Sequence, residues 1–131
     1  MPIVVDTNVL IRYFKNDEQL AEMIEKATSI VVHPAVYAEF LAGIDERTRS
    51  GKAARGLLEE FLDAPAVETC TMTPVTGIYY AKIYRHLQSI GKMIPKNDIW
   101  IAASALEHGW EVYTHDEHFS LIPMLQLMVH T

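Results

Sequence analysis

The sequence has one cysteine, few basic residues and no long apolar segment. Cys70 cannot form a disulfide within the chain, so we expect a protein of the reducing cytoplasm. The longest apolar stretch, residues 99–106, is far shorter than the roughly 20 residues that span a bilayer. No basic segment followed by a long apolar one opens the chain, so we expect no secretory signal. These absences exclude a disulfide-stabilised mini-protein and a transmembrane helix.

Basic residues are outnumbered by acidic ones, 11 against 17, which gives a formal net charge of −6. Because phosphate binding depends on Lys and Arg, this balance argues against a protein that coats nucleic acid. The bases are clustered: four lie within residues 47–55, four within 82–96, and none follows Lys96. The glycines are scattered singly, which excludes a glycine-rich phosphate loop.

Short β-branched segments alternate with amphipathic ones along the chain. Half of the 131 residues are hydrophobic, enough for the core of one domain over residues 1–131. Strands are predicted at residues 3–5, 30–32, 67–71, 111–114 and 125–129. Helices are predicted at residues 9–14, 20–27, 36–44, 53–62, 74–90 and 98–108. This alternation predicts an α/β domain with a parallel sheet.

Four acidic residues lie where predicted strands and helices meet. Asp6 and Asp116 follow the first and fourth strands, Glu39 lies in the helix after the second strand, and Asp98 begins a helix. Because ligands bind at the carboxyl ends of parallel strands, we expect the four side chains to share one rim of the sheet. Taken singly, each also fits a local role as a helix cap, a turn residue or a solvent-facing side chain.

The surroundings of these acids favour a metal site. Asp6 and Asp98 lie within the apolar segments IVVDTNVLI and NDIWIAASA, where an unpaired charge is costly. At a separation of about 5 Å, two carboxylates repel by about 3 kcal/mol for an effective dielectric constant of about 20. Convergence of all four would therefore require protonation or a hard divalent cation. An all-oxygen site suits Mg²⁺ or Mn²⁺ better than Zn²⁺, and such ions activate water for attack on phosphodiesters.

Histidines offer a second set of candidate ligands. The segment His115-Asp116-Glu117-His118 lacks the helical i, i+4 spacing of a histidine metal motif. We interpret both of its histidines as rim residues that contact substrate, and His33, beside Pro34, as a satisfied turn residue.

Three segments together resemble the PIN-domain family, and most closely the toxin ribonucleases of VapBC toxin–antitoxin pairs. They are VVDTNVLI at residues 4–11, VYAEFLAGI at 36–44 and KNDIWIAASALEHGWEVYTHDEHF at 96–119. Their order and spacing extend the resemblance over nearly the whole chain. It implies a three-layer α/β/α fold with a central, mainly parallel sheet of about five strands.

The resemblance also assigns residues. The family's catalytic, metal-binding acids fall on Asp6, Glu39, Asp98 and Asp116. Asn8 and Thr114 fall on positions that support those acids. At the fourth acidic position the neighbouring Glu117 is an alternative ligand.

The implied function is that of a Mg²⁺- or Mn²⁺-dependent endoribonuclease that leaves 5′-phosphate and 3′-hydroxyl ends. The family further implies a cytoplasmic homodimer and a cognate VapB-like antitoxin whose C-terminal segment enters the active-site groove. Given the net negative charge, RNA contact would depend on the metal and on a small set of bases. These candidates are Arg12, Lys15, Arg47, Arg49, Lys52 and Arg55.

Three other functions remain open at this stage. One is a housekeeping PIN nuclease, and another is a module that only binds a partner protein. The third is a phosphatase with Asp6 as its nucleophile, although that chemistry requires a second acid at position 8, where this chain has Asn8.

Overall fold

The computed structural model describes residues 2–128, which form five β-strands and six α-helices. The strands are Ile3–Val5 (β1), Ile30–Val32 (β2), Val67–Thr69 (β3), Glu111–Tyr113 (β4) and Gln126–Met128 (β5). The helices are Thr7–Phe14 (α1), Glu18–Lys26 (α2), Pro34–Ala42 (α3), Arg49–Leu62 (α4), Pro74–Ser89 (α5) and Lys96–His108 (α6), and a 3₁₀ helix covers Glu117–Leu121. None of the helices between residues 2 and 128 has the length and apolar character that a membrane span requires.

All strand pairs of the sheet are parallel, in the order β3-β2-β1-β4-β5. Every residue of β1 and β2 is buried, because helices cover both faces of the sheet. This architecture confirms the predicted three-layer α/β/α fold with a parallel five-stranded sheet. The chain continues from β1 to β2 on one side and places β4 on the other, so the topological switch point lies between β1 and β4.

Local sequence signals set most helix ends. Thr73 caps α5 in a reciprocal capping box with Thr76, and Pro74 takes the first helical position. At the C-terminal end of α6, Gly109 adopts a left-handed conformation with φ of 71°, which favours glycine. Both ends agree with the boundaries that the sequence predicts.

The start of α4 differs from the prediction. The sequence predicts this helix from residue 53, yet α4 begins at Arg49. The side chain of Thr48 accepts a hydrogen bond of 3.0 Å from the backbone N–H of Gly51, so this cap starts the helix one turn earlier. The predicted last strand is shorter than expected within the described residues, and its end at Val129 lies outside them.

His33 is a buried helix cap. Its Nδ1 accepts a hydrogen bond of 2.9 Å from the N–H of Ala35, and its Nε2 lies 2.9 Å from Ser104 Oγ. Burial lowers the pKa of the imidazole to about 4, so the ring is neutral at physiological pH. The prediction of a satisfied turn residue is confirmed.

Candidate active site

The four acids that the sequence singles out line one small cleft near the switch point of the sheet. This acidic cleft has a volume of about 210 Å³. It is lined by Asp6, Thr7, Asn8, Glu39, Pro95, Asp98, Asp116 and His118. Among these described lining residues there is no lysine or arginine to neutralise the carboxylates.

Asp6 is the most deeply buried of the four acids, with an exposed fraction of 5%. It directly follows β1 and caps α1, where its Oδ1 accepts a hydrogen bond of 2.9 Å from the N–H of Val9. Its Oδ2 accepts a hydrogen bond from the hydroxyl of Thr114. Burial raises the pKa of Asp6 above its ordinary value, and the charge of Asp116 adds to that rise. Its cap role and its place in the cleft therefore coexist.

Asp98 faces the same cleft from the first turn of α6. Its side chain is only 16% exposed. Burial raises its pKa, and the hydrogen bond from His118 opposes the rise, while the charges of Glu39 and Asp6 add to it. A divalent cation would reverse this effect, because it favours the ionised form of every carboxylate nearby.

His118 lies between two of the acids, in the wall of the cleft that they line. Its Nε2 is 2.6 Å from Asp98 Oδ2 and its Nδ1 is 2.9 Å from Asp116 Oδ1. The 3₁₀ helix turns the ring inward, because the backbone N–H of His118 is held by Asp116 Oδ1 at 3.3 Å. A useful signal in the sequence was the position of His118 two residues after an acid that itself follows a buried strand.

Thr114 connects two of the acids. Its hydroxyl donates to Asp6 Oδ2 and accepts a hydrogen bond of 2.9 Å from the backbone N–H of Asp116. The carboxylate of Asp6 and the backbone of Asp116 are therefore connected through one oxygen atom. Asn8 also lines the cleft but is exposed.

The remaining acids are more accessible to solvent. Glu39 is exposed and lines the cleft from α3, and the side chain of Asp116 is 41% exposed. Glu117, the alternative fourth ligand, is exposed and does not line the cleft. It borders instead a neighbouring depression that is also lined by Asp116 and Arg12.

The donor set fits a divalent cation. Asp98, Asp116 and His118 each place a potential ligand atom within 4.8 Å of the other two. The hydroxyl of Thr7, which also lines the cleft, is buried and has no hydrogen-bond partner among the described residues. Buried polar atoms are rarely left unpaired, so this hydroxyl is a hydrogen-bonding group at the cleft that the described residues do not use.

The candidate RNA-contacting bases occupy three different environments. Arg12 borders the depression beside the acidic cleft and pairs with Asp17 at 3.1 Å. Lys15 lines a mainly apolar groove of about 510 Å³ that shares Glu39 with the acidic cleft. Further away, ion pairs hold Arg47 to Asp45, and Arg55 to Glu46 and Glu59, whereas Arg49 and Lys52 form no ion pair within residues 2–128. The bases therefore do not form one continuous positive surface.

Comparisons with known proteins agree with this fold. A family profile described as PIN domain matches residues 3–124. A protein named Ribonuclease VapC1 from Methanocaldococcus jannaschii is 29% identical over 129 residues, which cover 98% of this chain and 86% of that protein. The solved structure of VapBC-1 from nontypeable Haemophilus influenzae has a TM-score of 0.84 and 26% identity and covers 98% of this chain and 97% of that one. VapBC2 from Rickettsia felis, solved with a promoter DNA fragment, has a TM-score of 0.87, 23% identity and 98% coverage of both chains, and shows the likeness of fold.

Proposed function

Because the chain belongs to the PIN-domain family, we propose that it is a metal-dependent endoribonuclease and the toxin of a toxin–antitoxin pair. The observation that carries the proposal is the acidic cleft, which four acidic residues line without a lysine or arginine among the described lining residues. The likeness to a protein named Ribonuclease VapC1 and to VapBC-1 supports the same assignment. We further propose that residues 1–131 form a single PIN domain.

The residues of the cleft have separate tasks in this proposal. A Mg²⁺ or Mn²⁺ ion, when bound, would supply an activated water and would neutralise charge on the phosphodiester. Asp6, Asp98, Asp116 and Glu39 are the carboxylates that would hold it. Thr114 keeps one oxygen of Asp6 in place through its hydroxyl, and the exposed amide of Asn8 faces the cleft, where it can contact the ion or the RNA.

RNA would approach from the side of α1. Arg12 borders the depression that adjoins Asp6 and Asp116, and Lys15 caps the C-terminal end of the same helix. The side chain of Arg12 is 53% exposed, and an exposed ion pair contributes about 1 kcal/mol or less, so a phosphate can replace Asp17 as its partner. The bases of residues 47–55 would extend this contact.

An antitoxin would use the apolar groove that adjoins the acidic cleft. Ile11, Phe14 and Phe40 line this groove, and Glu39 belongs to both surfaces. A partner segment could place apolar side chains in this groove and a following basic side chain in the acidic cleft. We also propose a homodimer, for which the exposed Val75 and Ile78 of α5 offer apolar area, and a cytoplasmic location.

Cleavage of synthetic RNA by the purified protein tests the proposed chemistry. We expect cleavage with Mn²⁺ or Mg²⁺, loss of cleavage in EDTA, recovery after Mn²⁺ is restored, and products with 5′-phosphate ends. The Asp6→Asn protein, prepared in parallel, should be inactive. Cleavage that persists in EDTA or in Asp6→Asn protein would contradict the proposal, and hydrolysis of a phosphomonoester instead of RNA would favour the phosphatase alternative.

Expression in cells tests the toxin role. We expect the protein to arrest growth, coexpression of the cognate antitoxin to relieve the arrest, and Asp6→Asn protein to leave growth unchanged. Cells that are indifferent to both proteins would favour a housekeeping nuclease. Relief without any cleavage activity in vitro would favour a module that only binds its partner.

A further inference from the structure

We infer that His118 supplies an imidazole nitrogen to the metal in the acidic cleft, which makes the centre a mixed nitrogen–oxygen site that prefers Mn²⁺ to Mg²⁺. This inference rests on the proposed metal-dependent function and deepens it. It adds to the four carboxylates a ligand of different chemistry.

The position of the ring carries the first step. His118 reaches two carboxylates that come from different parts of the chain: Asp98 lies in the first turn of α6, and Asp116 precedes the 3₁₀ helix. The ligand atoms of the three side chains lie within 4.8 Å of one another, the spacing of groups that share one ion. The side chain of His118 is 24% exposed, so the ring belongs to the wall of the cleft and not to its outer rim.

The Thr7 hydroxyl is an independent indication of a ligand at this place. It is the one buried side-chain polar atom without a partner within residues 2–128, and Thr7 is only 7% exposed. It lines the same cleft as His118. A hydrated ion held by His118 and the carboxylates would bring oxygen atoms to this hydroxyl and satisfy it.

The donor types set the preference between metals. Mg²⁺ is bound by carboxylates and waters and gains little from imidazole. Mn²⁺ also prefers oxygen ligands, but as a first-row transition ion it accepts one imidazole nitrogen beside carboxylates more readily than Mg²⁺ does. A cleft that contained only Asp6, Glu39, Asp98 and Asp116 would discriminate weakly between Mg²⁺ and Mn²⁺. With His118 as a ligand, Mn²⁺ is favoured.

Pulsed electron paramagnetic resonance of the Mn²⁺-loaded protein tests the inference directly. A directly coordinated imidazole nitrogen modulates the electron spin echo of bound Mn²⁺, and we expect this nitrogen signal in the unmodified protein. His118→Gln should abolish the signal and weaken Mn²⁺ binding at least about tenfold, while Mg²⁺ binding changes much less. Titration calorimetry with each ion measures the two affinities.

His115→Gln is the matched control, because His115 is in the same loop but is exposed and outside the acidic cleft. Its nitrogen signal should equal that of the unmodified protein. Bound Mn²⁺ without a nitrogen signal would overturn the assignment of His118 and leave the ribonuclease proposal standing. A protein that binds neither ion would overturn both the assignment of His118 and the ribonuclease proposal. Equal losses of Mn²⁺ and Mg²⁺ affinity in His118→Gln would contradict the ligand role, because they would show that His118 only positions Asp98 and Asp116.

Discussion

Replacement of Asp98 by asparagine is expected to lower the rate of metal-dependent RNA cleavage at least about 100-fold. Changing a residue that only supports a metal ligand costs up to about 100-fold, and a ligand itself should cost no less. Asparagine keeps the size of the side chain but removes one of the negative charges that attract the cation. Asp98 is 16% exposed and contacts His118, so its carboxylate is held in the wall of the cleft. Single-turnover cleavage of synthetic RNA measures the loss.

The same substitution is expected to stabilise the metal-free protein. Burial raises the pKa of Asp98, so the folded state binds its proton more tightly than the unfolded state does. That contribution is complete below the ordinary carboxyl pKa and is lost as pH rises through the raised value. Asparagine has no proton to lose. The gain in the free energy of unfolding should therefore be small at about pH 4 and reach about 0.5–2 kcal/mol at about pH 7. Urea denaturation in EDTA at both pH values measures the difference.

Asp63→Asn provides the comparison for activity. Asp63 ends α4, is exposed and does not line the acidic cleft, so the same chemical change there should leave cleavage unaffected. If Asp98→Asn protein cleaved RNA at the rate of Asp63→Asn protein, Asp98 would not bind the catalytic ion. If it were less stable than the unmodified protein in EDTA at neutral pH, the pair with His118 would outweigh the cost of burying the charge.

The sequence predicts the fold because its signals are local. The β-branched segments 3–5 and 30–32 are followed by capping residues such as Asp6 and His33, and these mark both the strand ends and the helix starts. The start of α4 was missed because residues 47–51 contain a serine and a glycine, which are typical of a connection. The cap at Thr48 overrides that composition once its hydroxyl is bonded to the N–H of Gly51.

The acids of the site are predictable for a similar reason, whereas their neighbours are not. Asp6 and Asp98 stand out because an unpaired charge within an apolar segment is costly, so a binding partner is expected there. The position of His118 two residues after Asp116 indicates that it lies near the site. Its contact with Asp98, 20 residues away, is not encoded by any short-range pattern. The unpaired hydroxyl of Thr7 likewise becomes visible only when every possible partner has a position.

The basic residues show where composition misleads. Arg47 and Arg55 count as RNA-binding candidates in the sequence, but Asp45, Glu46 and Glu59 pair with them in the structure. The spacing of Arg55 and Glu59, four residues apart on α4, was the available signal. Since exposed pairs of this kind are weak, they lower the charge available to RNA without removing it.

Replacement of Thr114 by valine should weaken Mn²⁺ binding by about 10–100-fold, although Thr114 is not among the proposed ligands. Valine has the shape of threonine without the hydroxyl that donates to Asp6 and accepts from the backbone N–H of Asp116. Asp6 would lose the group that holds its Oδ2, and Asp116 would lose the bond that fixes its backbone. Titration calorimetry with Mn²⁺ measures the effect, and Thr114→Ser, which keeps the hydroxyl, should retain most of the affinity.

The pH dependence of cleavage separates this positioning role from a general loss of stability. The hydrogen bond from Thr114 lowers the pKa of Asp6 against the larger effect of burial, so its removal raises that pKa further. Because the ion binds the ionised carboxylate, the acidic limb of the rate profile should move to higher pH in Thr114→Val protein and stay in place in Thr114→Ser protein. A limb that does not move, together with unchanged Mn²⁺ affinity, would mean that the Thr114 hydroxyl does not position Asp6 for the ion.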